Sequence, residues 1–276
     1  MRRTVIRKRV VFIVVLVVLI LFMIPFYLLV LNTFKTTAQF TKTPFAWPEQ
    51  FRFDNYITAI KRMNFFTAFK NTALITVFAT GLNTILSSMT GYFFSRRKSR
   101  ITKILFGCFL ASMVAPFQVY MIPLVKIYGG MLGLSNRIGT VVCVAIGLNV
   151  PFAVFLYHGF AEAIPKELDE AATIDGCSFT RTFFTVIFPL LKPIMITVMV
   201  FVGLGVWNDY LMTSLFMTKM ETRTLSIAAF TFLSNHTADY TPMMAGLVLG
   251  IIPVLVFYIF GQKYIIEGVV AGSVKG

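Results

Sequence analysis

The chain has 276 residues, 57% of them hydrophobic and only 13% charged, with a mean hydropathy of +0.81. Apolar runs long enough to cross a bilayer exclude a soluble globular class and define an integral membrane protein. A net charge of +14 would suggest nucleic acid in a soluble chain. Here the basic residues gather at the ends of apolar runs, so no nucleic acid is expected as a partner and membrane lipid is.

Arg2, Arg3, Arg7, Lys8 and Arg9 precede an apolar run from Val10 to Leu31. The run exceeds a signal-peptide core and no small-residue cleavage site follows, so it reads as an uncleaved first span with a cytoplasmic N-terminus. Residues 32–66, with Pro44, Trp47 and Pro48, are expected to form an extracellular segment carrying a short helix near Asn55 to Arg62. The second span, 67–94, is dense in Thr72, Thr76, Thr80, Asn83, Thr84, Ser87, Ser88 and Gly91. Such a helix faces protein or water on at least one side.

The basic turn from Ser95 to Arg100 returns the chain to the cytoplasm. A third span is predicted over 104–127, with Pro116, Gln118 and Pro123 inside it. A fourth runs over 138–160, and Asn149-Val150-Pro151 predicts a break within it. The fifth follows Pro189, passes Gly203, Gly205 and Trp207 and ends near Met217; the sixth covers 241–260. Six spans place both termini in the cytoplasm. Two parts are expected, 1–66 and a core of 67–276 that includes a loop at 161–189.

That loop holds IPKELDEAATIDGCSFTRTFFTVIFP, from Ile164 to Pro189, an acidic island between apolar blocks. Pro165 suits a helix start, Glu167, Asp169 and Glu170 complement its positive end, and Gly176 suits the left-handed residue that ends it. Leu168, Ala171 and Ala172 fall at i, i+3 and i+4, and the two alanines predict a shallow face that another protein could approach. A second helix is expected from near Ser178 through Phe183 and Phe184 to Pro189. From spacing alone, a solvated amphipathic connector stays open as the other reading.

Glu170-Ala171-Ala172, three further residues, Gly176 and the run ending Val186-Ile187-Phe188-Pro189 resemble the EAA loop of ABC importer permeases. Val186 and Phe188 stand where such loops commonly carry Ile and Leu. Trp207-Asn208-Asp209-Tyr210, Gln262-Lys263-Tyr264 to Gly268, and the closing Ala271-Gly272-Ser273-Val274-Lys275-Gly276 resemble the carbohydrate-uptake branch, in particular the second permease of the maltose-transporter type. The resemblance implies an all-α type I permease with a cytoplasmic coupling helix, in a bacterial cytoplasmic membrane. It implies ATPase-coupling roles for Glu167, Leu168, Asp169, Glu170, Ala171, Ala172, Asp175 and Gly176. Implied partners are a second homologous permease, an ABC ATPase dimer and an extracellular solute-binding protein. ATP and Mg would sit on the ATPase subunits, with no cofactor on this chain.

The residues themselves point away from catalysis. No GxxxxGK[ST] occurs, so a nucleotide site would lie on another polypeptide. His158 and His236 stand far apart, and Cys108, Cys143 and Cys177 lack CxxC spacing, so neither nucleophilic chemistry, a disulfide framework nor a metal site is indicated. No Asp or Glu lies between Asp54 and Glu162, and Asp209, the one acid well inside a span, is expected toward its outer half, where an interfacial role beside Trp207 and Tyr210 is an equal reading; this argues against an ion-coupled carrier. Asn83, Ser87, Gln118, Asn149 and Asn208 offer neutral hydrogen bonds suited to a sugar and form the candidate translocation path; for each, a bond between helices is the other reading. Gly246 and Gly250 would admit a close helix from this chain or from a partner permease. The expected function is carbohydrate import, with a permease for peptides or another polar solute, or a stand-alone secondary transporter, as alternatives.

Overall fold

The computed structural model describes residues 2–233 and 239–273, and only the backbone path of 2–6, 260–261 and 263–273. His236 and the closing Val274-Lys275-Gly276 lie outside the described residues. All regular structure among the described residues is helical: α1 (Arg2–Asn32), α2 (Thr37–Lys42), α3 (Asp54–Arg62), α4 (Phe65–Arg96), α5 (Arg100–Val114), α6 (Phe117–Leu124), α7 (Ile138–Glu162), α8 (Glu167–Ile174), α9 (Phe179–Thr182), α10 (Phe188–Leu190), α11 (Lys192–Asn208), α12 (Leu211–Phe216), α13 (Leu225–Ala229) and α14 (Tyr240–Ser273). Single π-helical stretches extend α6 over Val125–Met131 and join α9 to α10 over Phe183–Ile187. Four of these helices are long and apolar enough to cross a bilayer: Arg7–Asn32, Phe65–Arg96, Ile138–Glu162 and Tyr240–Ile259.

Three expected spans differ from the straight or broken rods predicted for them. The third bends by 96° between Arg100–Val114 and Phe117–Met131. Ala115 is extended there (ψ 118°), as the ring of Pro116 demands of its predecessor, and Pro116 starts the next helix. The fourth is one continuous helix through Pro151, not a broken one. Buried Val144, Ala145, Ala153 and Val154 flank that proline and keep the helix unbroken across it, whereas residues 111–116 are all exposed and lack such packing. The fifth ends at Asn208 rather than near Met217, because Asp209 leaves the helix (ψ 125°) and accepts the N–H of Thr213 at 2.8 Å inside the next short helix, α12.

The chain forms two compact units. One comprises Met1–Phe66 and Ala228–Pro253. In it, Lys35 is 1% exposed and its ammonium donates to the carbonyls of Thr43 and Pro44, both at 3.0 Å, while Asn55 ties down the carbonyls of Thr33 and Lys35 at 2.7 Å each. Gly246 receives Met63 of the same unit so closely that a Cβ would meet its sulfur at 2.4 Å, so one of the two small residues of that GxxxG pair admits a segment of this chain. Residues 10–24 of α1 present a continuous exposed apolar surface.

The other unit comprises Thr67–Ile227 and Val254–Gly276. Its core joins α4, α7 and α11 around Ile75, Tyr92, Val141, Tyr157 and Val202. Since lipid is as apolar as these side chains, close packing and hydrogen bonds hold such helices together. Gly91 lets α4 approach the backbone of α7 at Tyr157 and His158. Asn71 reaches out of α4 to the carbonyls of Glu221 (2.8 Å) and Arg223 (3.0 Å), and Thr72 accepts the N–H of Leu225 at 2.9 Å.

Candidate functional site

The loop between α7 and α11 is organised by α8. Lys166 caps this helix with its carbonyl, which accepts the N–H groups of Asp169 (2.9 Å) and Glu170 (3.1 Å); Pro165 lies one residue outside the cap rather than at the first helical position. Glu167, Asp169 and Glu170 fill the first turn, where carboxylates complement the helix dipole. The other end closes on Gly176, at φ +79°, a conformation that disfavours any residue with a Cβ. The N–H of Gly176 donates to Thr173 O at 3.0 Å and that of Cys177 to Ala172 O at 2.9 Å, the paired bonds of a Schellman ending. Ser178 then caps α9 by accepting the Arg181 N–H, and the second helix proceeds as expected, through the π-helical turn to Leu190.

The exposed face of α8 differs from the predicted one. Ala172 is 6% exposed and turned into its own unit, so it is not available to another protein. The bare positions Glu167, Glu170, Ala171 and Ile174 fall at i, i+3, i+4 and i+7, one stripe of the helix. Ile174, which spacing did not single out, is 85% exposed, the most exposed large apolar residue of the loop. Leu168 is 38% exposed beside this stripe, and Asp175 is exposed at its end.

Asp169 faces the opposite way. Its carboxylate accepts Arg96 Nε at 2.7 Å and the hydroxyl of Tyr92, both from the end of α4. Arg96 also donates to the carbonyls of Ala161 (2.9 Å) and Ile164 (3.1 Å), which bracket the turn leading into α8. The guanidinium lies 5.4 Å from the ring centre of Tyr92, and that ring stacks on Phe179 at 4.9 Å. Beside this cluster a cleft of ≈ 440 Å³ opens, bordered by Arg97, Lys166, Glu170 and Cys177. Neither Arg96 nor Tyr92 is legible in the loop's own sequence, since both lie more than seventy positions away from Asp169. Arg96 reads from sequence as one more cation of a basic turn.

The five neutral polar residues of the spans differ in what they bond. Asn83 is fully buried on α4 and donates to the Ile146 carbonyl of α7 at 3.5 Å, and Ser87 donates to Asn83 at 3.4 Å, so this pair joins helices. Asn149 and Asn208 donate to carbonyls one turn back in their own helices, Ala145 at 2.8 Å and Leu204 at 2.9 Å. Gln118 is exposed near the start of α6. His158 stacks on Phe106 at 4.2 Å, and no cluster of three potential metal ligands occurs among the described residues.

Residues 83–269 match the family described as binding-protein-dependent transport system inner membrane component. Among curated proteins, the chain is 39% identical over 275 residues, all of both chains, to a probable starch degradation products transport system permease of Thermoanaerobacterium thermosulfurigenes. It is 32% identical, over 92% of each chain, to a melibiose/raffinose/stachyose import permease of Bacillus subtilis. Among solved structures, a chain from the crystal structure of a bacterial ABC transporter involved in the import of the acidic polysaccharide alginate superposes with a TM-score of 0.78, covering 93% of this chain and 96% of that one at 22% identity.

Proposed function

This chain belongs to the family of inner membrane components of binding-protein-dependent transport systems, and from that premise we propose that it carries neutral oligosaccharides into a bacterial cell. It is an ABC importer permease subunit and not an enzyme; ATP hydrolysis belongs to a separate subunit. The observation that carries the sugar assignment is end-to-end similarity to a permease named for starch fragments, supported by a second named for melibiose, raffinose and stachyose.

In the proposed assembly, the chain pairs with a second permease, receives solute from an extracellular binding protein and rests on a cytoplasmic ATPase dimer. The pair Arg100–Val114 with Phe117–Met131, and the pair Phe179–Leu190 with Lys192–Asn208, which bends by 81°, each count as one crossing, which gives six and leaves both termini in the cytoplasm. The stripe Glu167, Glu170, Ala171 and Ile174 seats in the ATPase, because it joins two carboxylates to a bare apolar side chain on a helix whose opposite side is bonded to its own subunit. ATP-driven closure of the ATPases then moves α8 and reorients the spans between inward- and outward-facing states. Of the candidate path residues, Gln118 and Asn208 keep exposed amides and are assigned to the solute route; Asn83 and Ser87 serve helix packing.

Deletion of the chain from its cell tests this reading. Uptake of labelled maltotriose is expected to fall to background while dipeptide uptake continues. Undiminished maltotriose uptake, or loss of dipeptide uptake in its place, would exclude the sugar assignment.

A further inference from the structure

Arg96 makes contacts that docking alone does not require. From the last residue of α4 its guanidinium bonds three successive pieces of chain: Ala161 in α7, Ile164 in the turn, and Asp169 in α8. The pair is largely withdrawn from solvent, the Arg96 side chain being 9% exposed and that of Asp169 19%. Buried ion pairs contribute little net stability, because desolvation offsets their attraction; what a planar guanidinium fork supplies is a fixed geometry. That geometry is needed here. α8 has eight residues and buries only Ala172, too little apolar contact to hold it in register by packing.

Tyr92 adds a second tie from the same helix. Its hydroxyl donates to the other carboxylate oxygen of Asp169, and its ring lies against Phe179 and Phe183. A displacement of α8 must therefore either carry the end of α4 with it or strip a carboxylate of both its partners. The second course leaves a desolvated charge unpaired, so the first is favoured.

We infer that the Arg96–Asp169–Tyr92 cluster is the joint through which movement of α8 is delivered to α4, which makes Arg96 and Tyr92 positioning residues of the transport cycle. The inference rests on the docking role proposed above for α8. It assigns α4 as a spanning helix that is driven together with α8 when the ATPase closes.

The experiment uses the whole complex recovered through a tag on this chain, with Cys108, Cys143 and Cys177 replaced and spin labels attached through Thr173→Cys on α8 and Leu82→Cys on α4, both exposed positions. Distances are read without nucleotide and with ATP and vanadate. With Arg96 and Asp169 in place, the distance between labels is expected to stay constant. With Arg96→Gln, or with Asp169→Asn as the second variant, the ATPase still co-purifies and the distance changes by about 2 Å or more, as α8 moves without α4. A distance that stays constant in the variants, or changes as much in the parent, overturns the inference. So does loss of the ATPase from both variants, which would make the cluster a scaffold for docking. If the parent chain itself recovers no ATPase, the docking role fails instead, and the two failures are told apart.

Discussion

A Cβ on Gly91 would stand 2.7 Å from the Cβ of Tyr157 and 2.8 Å from the backbone nitrogen of His158. The obstructing atoms are main chain and the stem of a fully buried tyrosine, which cannot swing aside, so α4 and α7 meet at this point because one residue lacks a side chain. Gly91→Ala is expected to destabilise the subunit by about 1–3 kcal/mol, the usual range for overpacking. Gly81→Ala, on the same helix with open space around it, is expected to change stability little. Thermal unfolding of the two variants in detergent checks this, and equal midpoints would refute it.

The two faces of α8 predict opposite failures. Ile174→Asp places a charge on a side chain that is 85% exposed and should leave the subunit as stable as before while abolishing recovery of the ATPase. Ala172→Asp drives a carboxylate into a site only 6% exposed and should lower the unfolding midpoint by itself, before any partner is considered. Co-purification and thermal unfolding, run side by side on both variants, separate the two outcomes.

Gly176→Ala forces a residue with a Cβ into φ +79°. The expected destabilisation is about 1–2 kcal/mol from backbone strain, and Gly176→Asn should lose less, since asparagine tolerates this region. Because no atom lies within 4 Å of the added Cβ, crowding contributes nothing. Hydrogen exchange at the amides of Gly176 and Cys177 should rise in the alanine variant and rise less in the asparagine one.

Burial pushes the Lys35 ammonium below its ordinary value of 10.5. The unfolded chain therefore binds the proton more tightly than the folded one between the lowered value and 10.5. Stability should rise as pH climbs through that window and show no Lys35 contribution below it. Lys35→Met removes this dependence and leaves the Thr43 and Pro44 carbonyls without their donor. Unfolding midpoints across the alkaline range, compared between the two proteins, give the difference; parallel curves would contradict the assignment.

Much of this architecture is legible in one sequence because apolar length, basic flanks and helix-ending glycines are local signals. The ends of α8 and the extents of α1 and α4 follow from them. Proline is a weaker guide, since its effect depends on what surrounds it. Pro151 sits among buried Val144, Ala145, Ala153 and Val154 and leaves α7 whole, whereas Pro116 follows a fully exposed stretch and ends a helix. The inward turn of Ala172 and Asp169 was hidden for another reason: the partners of Asp169, Tyr92 and Arg96, come from more than seventy positions away, and the i, i+3, i+4 pattern names a face without saying which way it points. Ile174 could have been found by extending the Glu167, Glu170, Ala171 series one step further.

The ending of α8 leaves little of its main chain open to a partner. The N–H groups of Asp175, Gly176 and Cys177 occupy the carbonyls of Ala171, Thr173 and Ala172, so the final turn has no free main-chain acceptor to offer at those positions. In the docking proposed above, an ATPase would then read this knob mainly by side-chain shape and charge, and the four outward residues would act as an address label that can be rewritten without disturbing the frame beneath. Transplanting that quartet from another importer should redirect the permease to a foreign ATPase while its own solute preference stays unchanged.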